Sequence, residues 1–326
     1  MIRQNFNADW TVEKGDGNSR MNSFLGNTQT KTVHLPYDAM IHEARTPDTK
    51  NGAQTGFYPG GEYIFQKHFT APQAWQGKPV SLVFEGVYQT ALVYLNGWLL
   101  TRNVNGYAEF TVEAGPYLKY GADNLLKVIA DNSLEPNSRW YTGSGIYRPV
   151  RLLVGNKVYL PQDTVRITTR EADEGFALLD VTAQVQSAST VTERVTLQQT
   201  ICREGTAVLT DRQNLLLQPG ESRTVSFRYC VDGPALWRPE NPNLYTSTMQ
   251  VLEGEEELDR EETSFGIRTL SIDAAHGVRI NGQTVKLRGA CIHHDNGILG
   301  AAFNQVIPCF FQEFFVACVV IVIPYV

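Results

Sequence analysis

Only five cysteines occur in 326 residues, scattered at 202, 230, 291, 309 and 318 with no Cys-x-x-Cys pair. That odd, dispersed set excludes a secreted disulfide framework, and free thiols in a reducing compartment are expected. Positive charge is also in short supply: 28 Lys and Arg against 34 Asp and Glu leave a net charge of −6. Nucleic acid is therefore not expected as a partner, because nothing supplies its electrostatic footprint. The opening stretch MIRQNFNADWTVEKGDGNSR lacks an apolar core segment and a small-residue cleavage site. No secretory leader is recognised there, and a cytoplasmic location is expected. Residues 1–160 lack helical periodicity as well, which leaves strands as the building material.

What the chain has is short, β-branched and aromatic runs separated by turns. Tyr63–Phe69, Pro79–Tyr88, Thr90–Leu100, Tyr107–Val112, Asn124–Asp131 and Ile146–Val154 read as strands of a sandwich or jelly roll over residues 1–160. Asn96-Gly97 splits one run into a hairpin, since this pair takes the positive φ angles of a type I′ turn. From Pro161 to residue 272 about seven further strand patterns follow, the number in an immunoglobulin-like sandwich. The acidic run Glu253–Glu257 is expected at a solvated hairpin tip. A third region opens with another Asn-Gly turn at 281–282 and a strand over Val285–Ile292. Phe303–Val326 then carries a single charge, Glu313.

Several segments carry a likeness: "GFYPGGEYIFQKHF", "FEGVYQTALVYLNGWLL", "NGYAEFTV", "DNSLEPNSRWYTGSGIYRPVRL", "FGIRTLSID" and "INGQTVKLRGACIHHDNGILGAA". Together, and in order over residues 1–302, they resemble glycoside hydrolase family 2, which includes β-galactosidases, β-glucuronidases and β-mannosidases. The resemblance implies an all-β chain: a jelly-roll sugar-binding domain at 1–160, then an immunoglobulin-like β-sandwich at 161–272. The first strand of an incomplete (β/α)8 barrel would follow at 273–303, since a whole barrel takes at least about 200 residues. Residues 304–326 match nothing in the family and read as an aberrant apolar tail from a frameshift or truncation. The alternative, a membrane anchor over the 21 residues Val306–Val326, is opposed by Pro308, Glu313, Pro324 and the lack of a basic flank. No membrane partner is expected.

By resemblance the chemistry is hydrolysis of O-glycosyl bonds in a carbohydrate, a β-glycoside. A retaining enzyme uses two carboxylates about 5 Å apart, one as general acid and one as nucleophile. In the family both are glutamates on late barrel strands; Glu313 lacks the Asn-Glu context of the acid. No catalytic residue is therefore assigned, and the chain alone is expected to be inactive. His293 falls where the family places a sugar-contacting histidine, at the barrel mouth, and His294 and Asp295 follow it directly. Buried histidines bonded to backbone are the alternative. Neighbouring side chains on a strand point to opposite faces, and no third spaced His or Cys completes a zinc site. No metal and no cofactor is expected.

Arg139, in "NSRWYTGSGIYR", stands where familiar β-galactosidases and β-glucuronidases carry an aspartate that reaches from the jelly roll into the active site. A guanidinium there would bind sugar hydroxyls or clasp a carboxylate, and an interdomain ion pair stays open. Asp38, in "LPYDAMI", and the loop Thr55–Gly61 belong by resemblance to the same end of the jelly roll. Asp38 would bind a hydroxyl or close an Asx-turn, and Trp140, Tyr141 and Tyr147 would stack on a sugar ring or fill the core. The reading is the N-terminal part of a retaining, β-galactosidase-like β-glycosidase; a stand-alone carbohydrate-binding sandwich and a membrane-tethered interaction protein are the rivals. The oligomeric state is left open, full-length relatives being frequent oligomers.

Overall fold

Side chains that alternate between buried and exposed along a strand force that strand to cover something, and most of this chain does so in pairs of sheets. The computed structural model describes residues 1–15, 30–49, 51–134, 137–289, 297–303 and 320–322. Two units result. The first holds residues 2–154 together with the described segment 297–303, and the second holds residues 155–289 with Met1 and residues 320–322.

The first unit contains β1 (Ile2–Asn5), β2 (Trp10–Gly15), β3 (Lys31–Val33), β4 (Gly61–Thr70), β5 (Val80–Phe84), β6 (Thr90–Leu95), β7 (Trp98–Asn103), β8 (Phe110–Glu113), β9 (Asp123–Asn132) and β10 (Val150–Val154). They form a four-stranded sheet, β1-β10-β5-β8, and a six-stranded sheet, β3-β2-β4-β9-β6-β7, antiparallel throughout. β9 shows the logic: Leu126, Val128 and Ala130 are fully buried, while the residues between them are partly exposed. Trp10, Phe65, Leu82, Phe84 and Leu95 fill the core, each worth about 1.5–3 kcal/mol of burial. Trp10 leaves no orphan donor, because its indole N–H reaches the Phe6 carbonyl at 2.8 Å.

Between β6 and β7, Asn96 and Gly97 take φ angles of 52° and 88°, the expected type I′ turn. Asn96 does more than tolerate a positive φ. Its amide donates to the Tyr117 carbonyl and to Asn124 Oδ1, both at 2.8 Å, and its own oxygen accepts the Leu125 N–H at 3.1 Å.

The second unit runs through β11 (Val158–Tyr159), β12 (Arg166–Ala172), β13 (Phe176–Ser187), β14 (Glu193–Arg203), β15 (Thr206–Leu217), β16 (Ser222–Asp232), β17 (Trp237–Arg238), β18 (Asn241–Pro242), β19 (Tyr245–Glu253) and β20 (Glu256–Phe265). In one sheet β13 is flanked by β16 on one side and by β11 and β12 on the other; the second sheet has the order β15-β14-β19-β20. Ala177, Leu179, Val181, Ala183 and Val185 of β13 lie in a core with Leu197, Ile201 and Met249. The turn at Gly254-Glu255 puts the acidic run at an exposed hairpin tip, as its composition implies. A three-stranded meander, Leu270–Asp273, Gly277–Ile280 and Gln283–Thr284, follows around the Asn281-Gly282 turn, with φ angles of 49° and 76°. Within the expected strand Val285–Ile292, Leu287–Gly289 is extended and pairs antiparallel with Val320–Val322. The chain is all-β, as its alternation implies, and both sandwiches are present.

Asn96→Ala removes three hydrogen bonds and puts an alanine at positive φ, so it should cost about 1–3 kcal/mol. Asn96→Gly keeps the turn and should lose less. Urea unfolding with an unchanged slope checks both.

Candidate functional site

At one end of the first sandwich three backbone segments meet: Tyr37–Met40, Tyr141–Ile146 and Gly297–Phe303. The first two are laddered, with Tyr37 N–H on the Ile146 carbonyl and Ala39 N–H on the Ser144 carbonyl, each at 2.8 Å. Gly145 exchanges both backbone hydrogen bonds with Tyr88, at 3.0 and 3.1 Å. The third segment joins through Phe303 N–H to the Tyr147 carbonyl at 2.9 Å, and through Ala301, buried against Tyr88 and Tyr147.

Asp38 lies at the junction and is 2% exposed. Its Oδ1 accepts the backbone N–H of Met40 at 3.0 Å and of Ser144 at 2.9 Å. Its Oδ2 accepts the Tyr141 hydroxyl at 2.6 Å and the Ala301 N–H at 2.9 Å. A carboxylate offers about four acceptor positions, and here all four are taken. Burial pushes the Asp38 carboxyl above the usual carboxylate range, with the four donors pulling back, Tyr141 most. Burial, and then the charge of Asp38, hold the Tyr141 hydroxyl protonated far above its ordinary range, so it stays a donor.

Two glycines make the junction possible. Gly143 has φ 68°, and a Cβ there would sit 2.6 Å from both Asp38 Oδ2 and Ala301 Cβ. Gly300 has φ 57°, and its Cβ would collide with Asp38 Oδ2. The loop before Tyr141 is tied down by asparagines. Asn132, 4% exposed, donates to the Gly143 carbonyl at 3.0 Å and accepts from the Asn137 amide. The Asn137 oxygen accepts the Tyr88 hydroxyl at 2.9 Å, and its N–H reaches Asn51 Oδ1 at 2.9 Å.

The structure separates the expected site residues. Asp38, expected to bind a hydroxyl or close an Asx-turn, accepts the N–H of Met40 two residues on and is buried with every acceptor position filled, so a hydroxyl reaches it only by displacing a donor from within the unit. Arg139 is exposed on the asparagine-tied loop and has no ion-pair partner among the described residues. His293, His294 and Asp295 lie outside the described residues. Tyr147 is core, its hydroxyl on the Gly106 carbonyl at 2.9 Å, and Tyr141 packs edge-on to Tyr58 at 5.6 Å. Phe57, in the glycine-rich loop, is 42% exposed at φ 64°. Sequence reading missed the Asn132–Asn137 pair and the Ala301 donor; the cluster of Asn and Gly around Trp140 was the available signal for the first.

A groove of about 440 Å³ opens on the same unit, lined among others by Arg3, Asn5, Glu85, Arg151, Pro36 and Phe303. Arg151 is engaged there by Glu85 at 3.1 Å and by Glu109 at 2.9 Å. Among the described residues no three His, Cys, Asp or Glu side chains gather as a metal site, and no helix is long and apolar enough to cross a membrane.

Residues 10–176 match the family model described as glycosyl hydrolase 2 galactose-binding domain-like, and residues 158–268 that of glycosyl hydrolases family 2. β-Galactosidase BoGH2A of Bacteroides ovatus is 35% identical over 303 residues, which cover 93% of this chain and 36% of that protein. A β-glucuronidase of Formosa agariphila is 26% identical over 312 residues, covering 87% and 31%. The crystal structure of a glycosyl hydrolase family 2 member from Bacteroides cellulosilyticus superimposes with a TM-score of 0.86 at 31% identity, over 96% of this chain and 41% of its own. The chain thus spans well under half the length of the relatives it matches.

Gly143→Ala should destabilise the first sandwich by about 2 kcal/mol or more, since the added methyl meets both a carboxylate and a buried alanine at a positive φ. Urea unfolding of the variant, set against an alanine at exposed Gly220 as control, measures it.

Proposed function

The chain belongs to glycosyl hydrolase family 2, and from that premise we propose that it is the sugar-recognising front portion of a retaining β-glycosidase. Carbohydrate, as a β-galactoside or β-glucuronide, is the substrate class on this reading. Its support is one observation: the likeness covers 96% of this chain but only 41% of the matched structure. Hydrolysis needs an acid and a nucleophile about 5 Å apart. By resemblance these are glutamates on late barrel strands, in a portion this stretch does not include. The front portion then supplies recognition: His293, His294 and Asp295 from the start of the barrel, and Arg139 from the jelly roll. Purified, mass-verified chain should release no nitrophenol from nitrophenyl β-galactoside or β-glucuronide; measurable turnover would falsify the reading.

Arg139 favours the acidic sugar of the two. It is exposed, and no carboxylate pairs with it among the described residues. A planar guanidinium matches a sugar carboxylate with two parallel hydrogen bonds. In calorimetric titrations Arg139→Gln should weaken glucuronate binding about tenfold and leave galactose within about twofold. Equal losses for both sugars would assign Arg139 to hydroxyl binding or to structure instead.

A further inference from the structure

Asp38 spends a buried charge on holding backbone. Of its four donors, Met40 and Ser144 lie within the sandwich loops, and Tyr141 packs against them. The fourth, Ala301, comes from the far side of the sequence, 263 residues away. The turn that carries Ala301 begins exposed, with Ile298 87% exposed, and then goes under, with Gly300, Ala301 and Ala302 buried. Arg148 lies over the Phe303 ring at 5.2 Å and closes the segment's other end. A buried carboxylate cannot move without losing several charge-assisted bonds at once. It is therefore a rigid reference point for whatever it grips.

We propose that Asp38 is a positioning residue: its carboxylate fixes the Gly297–Phe303 turn against the jelly roll and so sets the edge of the sugar cleft without touching sugar. The assignment rests on the proposed function in one respect: His293–Asp295 serve the sugar cleft on that reading, and the turn that follows them in the chain is taken as its border. The grip itself stands on geometry. Gly300 and Gly143 are the residues that let the turn come close enough, since a Cβ at either position meets Asp38 Oδ2. Any side chain at 300 should push the turn away while leaving Asp38, Met40, Ser144 and Tyr141 in place.

The test is hydrogen–deuterium exchange by mass spectrometry on the full chain, comparing wild type with Asp38→Asn and Gly300→Ala. The peptide spanning 297–303 should exchange about tenfold faster in both variants, and the β9 peptide should stay within about twofold. Unchanged exchange in the turn overturns the proposal, and so does β9 accelerating as much as the turn, which would make Asp38 a support of the whole sandwich. Should Asp38→Asn fail to fold, Gly300→Ala decides alone, because it lies outside every strand of the sandwich. A glucuronate titration then separates positioning from contact. Both variants should weaken binding alike, by about tenfold; if Gly300→Ala leaves the affinity unchanged while Asp38→Asn abolishes it, Asp38 is a sugar ligand and the proposal falls. Exchange needs no sugar, so a wild-type chain that binds none counts against the proposed function and leaves the positioning role to the exchange result.

Discussion

A carboxylate taken out of water must have its oxygens met by donors, or the charge costs several kcal/mol. The end of the first sandwich is organised around meeting that requirement for Asp38. Tyr37–Met40 and Tyr141–Ile146 are laddered so that two backbone N–H groups converge on Oδ1. Tyr141 turns its hydroxyl inward for Oδ2, and the Ala301 amide completes the set. Such crowding leaves no room for Cβ atoms at 143 and 300. Gly143 and Gly300 are then consequences of the buried carboxylate, while burial first, and the Asp38 charge second, keep the Tyr141 hydroxyl protonated. Family resemblance marks these positions; the physical chemistry gives the reason for them.

The two sandwiches supply what this arrangement needs, which is backbone that does not yield. β9 sits between β4 and β6 with its inward residues fully buried, and its last residue, Asn132, grips the Gly143 carbonyl. The central strand of the six-stranded sheet thus ends as an anchor for the loop that bears Arg139 and Tyr141. Packing in the core is converted, through one asparagine, into a fixed position for exposed residues at the rim.

Much of this was legible in the chain. Asn96-Gly97 and Asn281-Gly282 identify their turns because few residue pairs take two positive φ angles cheaply. The long strands of the second sandwich are announced by clean alternation, as in β13. Glu204-Gly205 makes the same kind of turn, with φ angles of 51° and 79°, and carries no such signature, since glutamate rarely sits there. The short edge strands Ile2–Asn5 and Lys31–Val33 also escape, being four and three residues long and mostly exposed. Asp38 was singled out by type and place, yet an aspartate does not announce who its partners are. A sugar hydroxyl and a backbone amide from 263 residues away are equivalent donors on paper, and only the fold tells them apart.

That separation has a consequence on the ribosome. The first sandwich is fully synthesised by residue 154, whereas Ala301 emerges only after the second unit has been made. At bacterial or eukaryotic elongation rates the interval is on the order of ten seconds. Until it ends, only Met40, Tyr141 and Ser144 of the four Asp38 donors exist in the chain, and the Ala301 N–H does not. The last acceptor position of Asp38 is therefore filled only after residues 155–300 have been made.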